Sequence, residues 1–333
     1  MNSNAAAKRL IWVDFLRGLA MLLVIWGHID RTDHMFFVLT GPFKMPLFFA
    51  ITGYLFRGRN GNVRLFAEKL IRTIVVPWII LSLVWLKVLY AVVRGKPELI
   101  TVYLYRFFSG EDLWFIPCII IAEIILFVIM KYARTASQRY MVMTIVGITG
   151  LILERYVDAA HFAMFDVACV AQLYLMFGYW FKNNEEKLRD VLDWKKITML
   201  VVLYFVLILI ACKAFPGMTM DVHIGKYYSY PLCFLLSFVS LLTLFLISPS
   251  IKKGCGWITF AGKNTLVFYI CHYYVRRAFA FASGSMNIPL PDTMSTYICK
   301  FVIIYVTMAA LSMVINRWMP FIVGKPKITK TGA

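Results

Sequence analysis

Acidic residues are scarce in this chain: 17 Asp and Glu stand against 35 Lys and Arg among 333 residues. Charged residues of both signs make up only 16%, where a soluble domain carries about 25%. That shortage excludes the densely charged surface of an ordinary globular domain in water. Paired cysteines are missing as well. The seven cysteines are scattered, mostly inside apolar runs. This spacing excludes a disulfide framework or a cysteine-based metal site and leaves small apolar packing residues. There is no Gly-x-Ser-x-Gly elbow and no His-Glu-x-x-His, so serine-hydrolase and zinc-protease chemistry finds no support. Internal repeats, Gly/Pro-rich linkers and low-complexity tracts are absent, and the loops are too short for a second domain. One domain over 1–333 is expected.

What is abundant is apolar sequence: 61% hydrophobic, with mean hydropathy +0.74. An all-α polytopic membrane protein is the class that fits. Ten transmembrane helices are expected, at about 11–29, 36–56, 73–92, 113–130, 141–153, 161–181, 197–215, 229–249, 264–282 and 296–315. The second contains Pro42 and Pro46 and should be broken. The fifth is short, and the 94–112 loop has an apolar middle. The first run is interrupted by Asp14 and Arg17 and has no small-residue cleavage site after it, so it should remain as a span. Roughly twice as many Lys and Arg fall in the N-terminus, the tail and the loops on their side as on the other. That bias places both termini in the cytoplasm. The net charge of +18 is therefore read as topology, not as a nucleic-acid patch.

The stretch Trp12–Ile29 carries Asp14, Arg17 and His28 within an apolar span, and ionisable residues there mark function by default. Arg17 and His28 are eleven residues apart. On a helix that is three turns plus about 20°, so they share one face with a rise of roughly 16 Å between them. Asp14 is three residues before Arg17 and within reach of it. Anchoring of the helix at the head groups is the plain alternative. His28 is the candidate general base, since an imidazole near pKa ~6.5 takes a proton from a hydroxyl at neutral pH. Asp30 and Asp33 follow closely as candidates to orient it. Lys69 and Arg72 open the third span before Pro77; two cations at a helix N-terminus suit phosphates, or serve topology alone. Glu123 needs an intramembrane partner, for which Lys87 is the candidate. Trp114 and Phe115 fit an interfacial belt. His272 lies mid-span among Tyr269, Tyr273 and Tyr274, as a packed core histidine or a site residue. His161 and His223 fall at span edges, and His34 in a loop.

Taken in order, these elements resemble membrane acyltransferase family 3, which includes O-antigen, capsule and sugar O-acetyltransferases. The resemblance rests on Asp14-x-x-Arg17-Gly18 with His28 after ten more residues, Pro46-Leu-Phe-Phe-x-x-x-Gly53-Tyr54, and Lys69-x-x-Arg72-x-x-x-x-Pro77. It continues through Leu113-Trp114-Phe115-x-Pro117, Phe177-Gly178-Tyr179 and Gly262-Lys263-Asn264-Thr265-x-x-x-Tyr269-x-x-His272. Thr52 stands where the family usually has Ser. The resemblance implies a multi-pass protein of the bacterial inner membrane. It would move an acetyl group from cytoplasmic acetyl-CoA to a hydroxyl of a sugar or cell-surface polysaccharide, with no metal. Arg17, His28 and Asp14 would form the catalytic group, His28 acting as base or acyl carrier. Lys69, Arg72, Trp114 and Phe115 would hold the donor. His272, Tyr269 and Asn264 would face the acceptor. A polytopic transporter and a non-catalytic membrane module are the alternatives; the first would be favoured by inverted repeats, the second by a fused domain.

Overall fold

The computed structural model describes residues 10–29, 34–58, 61–82, 95–96, 98–191, 193–251, 256–286 and 290–324. Asp30, Asp33, Lys87 and the expected span beyond residue 82 lie outside the described residues. Helix follows helix: α1 (Ile11–Ile29), α2 (His34–Lys44), α3 (Pro46–Leu55), α4 (Val63–Leu70), α5 (Leu99–Ser109), α6 (Phe115–Tyr132), α7 (Ala136–Tyr156), α8 (Phe165–Val191), α9 (Trp194–Ala214), α10 (Tyr230–Ile247), α11 (Gly256–Lys263), α12 (Thr265–Ser285) and α13 (Met294–Trp318). No β-strand occurs among the described residues; the one extended pairing is the bridge Asp221–Lys226.

Local chemistry sets the element ends. The N-cap side chains of Asn62, Asp193 and Thr293 each accept a backbone N–H three residues on, and Thr135 with Gln138 forms a full capping box. The chain breaks between α2 and α3 at Met45, where Pro46 takes the first helical position. Its missing N–H is not needed there. After α4, Ile71–Val75 widens into a π-helical turn and Val76–Trp78 resumes the α form. Pro77 lacks the donor for a regular ladder, and the wider turn absorbs the defect.

Among the described residues eight helices are long and apolar enough to cross a membrane: Ile11–Ile29, His34–Leu55, Phe115–Tyr132, Ala136–Tyr156, Asp158–Val191, Trp194–Ala214, Tyr230–Ser250 and Met294–Trp318. The all-helical, multi-span class is as expected, but several boundaries differ. The fifth stretch is not short: polar Ala136–Arg139 and Glu154–Tyr156 stay helical, so α7 has 21 residues. The charged segment after residue 181 is helix as far as Val191. The apolar middle of the 94–112 loop is the helix α5. α12 is 21 residues long but is not among the eight, because His272, Arg276 and Arg277 dilute its apolar character.

The core lies around α8, where 67% of the apolar window is buried against 17% for α7, 17% for α9 and 22% for α13. The last three are apolar outside as well as inside, as lipid-facing helices are. Two glycine crossings bind the centre. A Cβ on Gly262 would lie 1.7 Å from the Asp14 carbonyl oxygen, and one on Gly18 1.9 Å from that of Ile258, so α1 and α11 touch backbone to backbone. A Cβ on Gly178 would lie 1.8 Å from the Ala50 oxygen and one on Gly53 2.0 Å from that of Leu175, which does the same for α3 and α8.

Candidate active site

A cavity of about 400 Å³ opens where α1, α3, α4, α6 and the α11–α12 corner converge. Arg17, Thr52, Lys69, Phe115, Glu123, Asn264 and Tyr269 are among its walls. The α1–α11 crossing explains part of this: with Gly18 and Gly262 allowing backbone contact, Arg17 and Asn264, each next to one of these glycines or within two residues of it, line one cavity. Asn264 is itself fixed. Its Nδ2 donates to the Phe260 carbonyl at 2.9 Å, and its Oδ1 accepts from Asn316 Nδ2 at 2.7 Å.

Lys69 Nζ lies 3.4 Å from Glu123 Oε2, with side-chain exposures of 36% and 7%. The intramembrane carboxylate thus has a partner in Lys69; the expected partner, Lys87, lies outside the described residues. The last turn of α4 lies across α6, which brings the two together. Arg72, one turn beyond Lys69, is exposed and is not part of the cavity wall. The π-turn begins between the two, at Ile71, and turns Thr73 and Ile74 to the cavity.

Tyr269 ties two motifs together. Its hydroxyl accepts from the Phe115 backbone N–H at 3.2 Å, and the two rings meet edge to face at 5.6 Å. Phe115 opens α6, where N–H groups have no helical partner, so the tyrosine supplies one. Trp114 points elsewhere: it stacks on His223 at 4.8 Å, outside the cavity wall. His223 also lies 6.1 Å from His161, whose Nδ1 is 3.0 Å from Asp166 Oδ2. Burial holds the His223 imidazole below its ordinary range, opposed by Asp221.

Beyond Tyr269 stand the two histidines. His272 Nδ1 lies 3.0 Å from the Phe268 oxygen and 2.8 Å from the Tyr269 oxygen. Carbonyls only accept, so Nδ1 carries the proton and Nε2 is the bare acceptor. That Nε2 is buried and has no hydrogen-bond partner among the described residues. The ring of His28 is 5.2 Å from that of His272. Arg276, one turn after His272, donates from Nη1 to the His28 carbonyl at 3.0 Å and closes the end of α1. Arg17 therefore faces the cavity, while His28 sits past Tyr269 and His272, toward the other end of α1. Asp14 is buried at 4% exposure beneath the α1–α11 crossing.

Sequence reasoning left Arg276 and the Glu123–Lys69 pair unassigned. The i, i+4 spacing of His272 and Arg276 was a readable signal; a pairing across 54 residues was not. Among the described residues no three His, Cys, Asp or Glu side chains gather as a metal site.

A family model for an acyltransferase domain matches residues 10–317. No curated protein and no solved structure matches the chain significantly.

Proposed function

The chain belongs to membrane acyltransferase family 3, and on that premise we propose that it carries an acetyl group from acetyl-CoA to a hydroxyl of a sugar or cell-surface polysaccharide. One observation carries the reading. Residues from five separated motifs meet at one cavity: Arg17, Thr52, Lys69, Phe115 and Tyr269. A packing role alone would not require two cations among them, with the carboxylate of Glu123 in the same wall.

In this reading the acyl arm of the donor lies in the cavity, where Arg17 binds the pantetheine or the thioester oxyanion. Lys69 belongs to the donor side, held in place by Glu123. Phe115 shapes the same wall, with Trp114 and Arg72 further out. His28 lies toward the acceptor, with His272, Tyr269 and Asn264 between the two. His28 works in one of two ways. As a base, it takes the hydroxyl proton while the hydroxyl oxygen bonds to the acyl carbon and the carbon–sulfur bond breaks; the thiolate then recovers the proton. As a carrier, its nitrogen bonds to the acyl carbon as the carbon–sulfur bond breaks and the thiolate leaves; the acceptor hydroxyl oxygen then displaces that nitrogen from the acyl carbon, and the hydroxyl proton ends on the thiolate. Asp14 supports Arg17 from the preceding turn. The domain is a single one with both termini cytoplasmic, ten spans and a bacterial inner-membrane location.

The test is acetyl transfer in purified membranes given labelled acetyl-CoA, comparing wild type with His28→Ala and Arg72→Ala. Loss of glycan labelling in His28→Ala with retained acetyl-CoA binding upholds the reading, and weakened binding in Arg72→Ala locates the donor. A wild type that neither binds nor consumes acetyl-CoA sinks it.

A further inference from the structure

We infer that a second, basic cavity, at the end of the bundle where α1 begins, binds phosphate groups, its occupant being the nucleotide end of the acyl donor. This rests on the acyltransferase reading above. The cavity has a volume of about 470 Å³ and is walled by Lys131, Arg139 and Tyr179 together with Phe56, Gly58 and Met130. No acidic side chain among the described residues lines it.

The cations are not merely solvated. Arg139 Nε donates to the Ala133 carbonyl at 3.1 Å and Nη1 to the Tyr179 hydroxyl at 2.9 Å. These two bonds fix the plane of the guanidinium, and its Nη2 makes no hydrogen bond among the described residues. Lys131 Nζ lies over the Tyr132 ring at 5.6 Å and has no carboxylate partner among them. Lys182 adds a third positive charge, its Nζ donating to the Phe56 carbonyl at 3.2 Å. A fixed guanidinium beside a second cation is the arrangement that grips phosphate oxygens. A cation that only sets topology needs no such support.

The Phe177-Gly178-Tyr179 element gains a purpose here. Gly178 lets α8 touch α3, and that contact sets Tyr179 at the cavity wall, where it holds Arg139.

Two further points favour the nucleotide. Of the three cations that wall the reactive cavity, Arg17, Lys69 and Lys263, Lys69 is already paired with Glu123 and Arg17 is assigned to the acyl arm, so three phosphates call for cations beyond that cavity. And α6 passes both cavities: from Glu123 to Lys131 is eight residues, or about 12 Å of helix. A pantetheine arm with its two amide links spans on the order of 15 Å when extended, by analogy with peptide chain dimensions. A donor arm held at Arg17 can therefore place its phosphates near Arg139.

The full chain in phosphatidylcholine nanodiscs tests this, by equilibrium binding of coenzyme A, dephospho-coenzyme A and pantetheine. Lys131→Gln should weaken coenzyme A binding about tenfold and Arg139→Gln about ten- to a hundredfold, with pantetheine unchanged. Lys131 makes no hydrogen bond among the described residues, so its variant carries the test even where Arg139→Gln folds poorly. A parallel arm measures retention of phosphatidylglycerol from mixed discs. Variants that lose phosphatidylglycerol but keep coenzyme A affinity overturn the nucleotide and leave a lipid headgroup as the phosphate source. Variants equal to wild type in both arms overturn the site. A wild type that binds no coenzyme A refutes the donor reading instead, and the lipid arm then decides the cavity by itself.

Discussion

The imidazole rings of His28 and His272 lie 5.2 Å apart, one at the end of the first helix and one in the middle of the last-but-one. Arg276 holds them in register from one turn further on. If the two act together in proton movement, their substitutions should not add. We expect His28→Ala to lower acyl transfer by about 10²- to 10⁴-fold, the span of a lost general base. His272→Ala should cost somewhat less, and the double variant little more than His28→Ala. Donor binding should persist in all three, because neither ring walls the cavity. Single-turnover rates with separate donor affinities check this; fully multiplicative losses would show two independent groups.

Lys69 and Glu123 make a second coupled pair. Glu123 is nearly buried while Lys69 is 36% exposed, so the two ends are unequal. Lys69→Met strands a buried carboxylate and should destabilise by roughly 1–3 kcal/mol, below the full cost of breaking a buried pair because water still reaches the partner. Glu123→Gln should cost less. The double variant should recover part of the loss in Lys69→Met. Thermal unfolding in one detergent, read for all four proteins, decides it; a double variant as poor as the sum of the singles would mean the ions do not compensate one another.

Much of the site was legible because its residues violate their surroundings. An arginine and a histidine inside an apolar run stand out against lipid, and so does a histidine among the tyrosines of α12. Pairing between distant segments was not legible. Nothing in the spacing of Lys69 and Glu123 foretells that α4 lies over α6. The span boundaries failed where polar residues remain helical past the apolar stretch, as at Lys182–Val191, because hydropathy marks the membrane and not the helix. The aromatic pair Trp114-Phe115 reads as one unit in sequence. One residue apart at the start of a helix, the two side chains diverge by about 100°, which sends Phe115 to the cavity and Trp114 to His223.

The motif glycines admit a clean test. Ala at Gly262 or Gly178 would set a Cβ within 2 Å of a carbonyl oxygen, a clash that only separation of the helices relieves. We expect a loss of about 3 kcal/mol or more, at or above the usual cost of overpacking. Gly256→Ala and Gly284→Ala meet nothing within 4 Å and should match wild type. Folded yield and Tm of the four variants are the readout. Equal behaviour of all four would mean that the α1–α11 and α3–α8 crossings are looser than described.

The Trp114–His223 stack should make the protein sensitive to mild acid. Burial depresses the His223 pKa, so between that value and the unfolded value near ~6.5 the unfolded chain binds a proton that the folded chain refuses. Stability must then fall as pH drops through about 6.5 and below, because the slope follows the excess protons of the unfolded state. Asp221 pulls the other way and limits the effect. His223→Gln removes the titrating ring, so its Tm should vary less than that of wild type between about pH 7.5 and 5.5. Neutral wild type should be at least as stable as the variant, since the stacked ring is then intact. Parallel Tm curves for the two proteins across that range would show that His223 protonates as easily folded as unfolded, and that the ring on Trp114 is not desolvated by its neighbours.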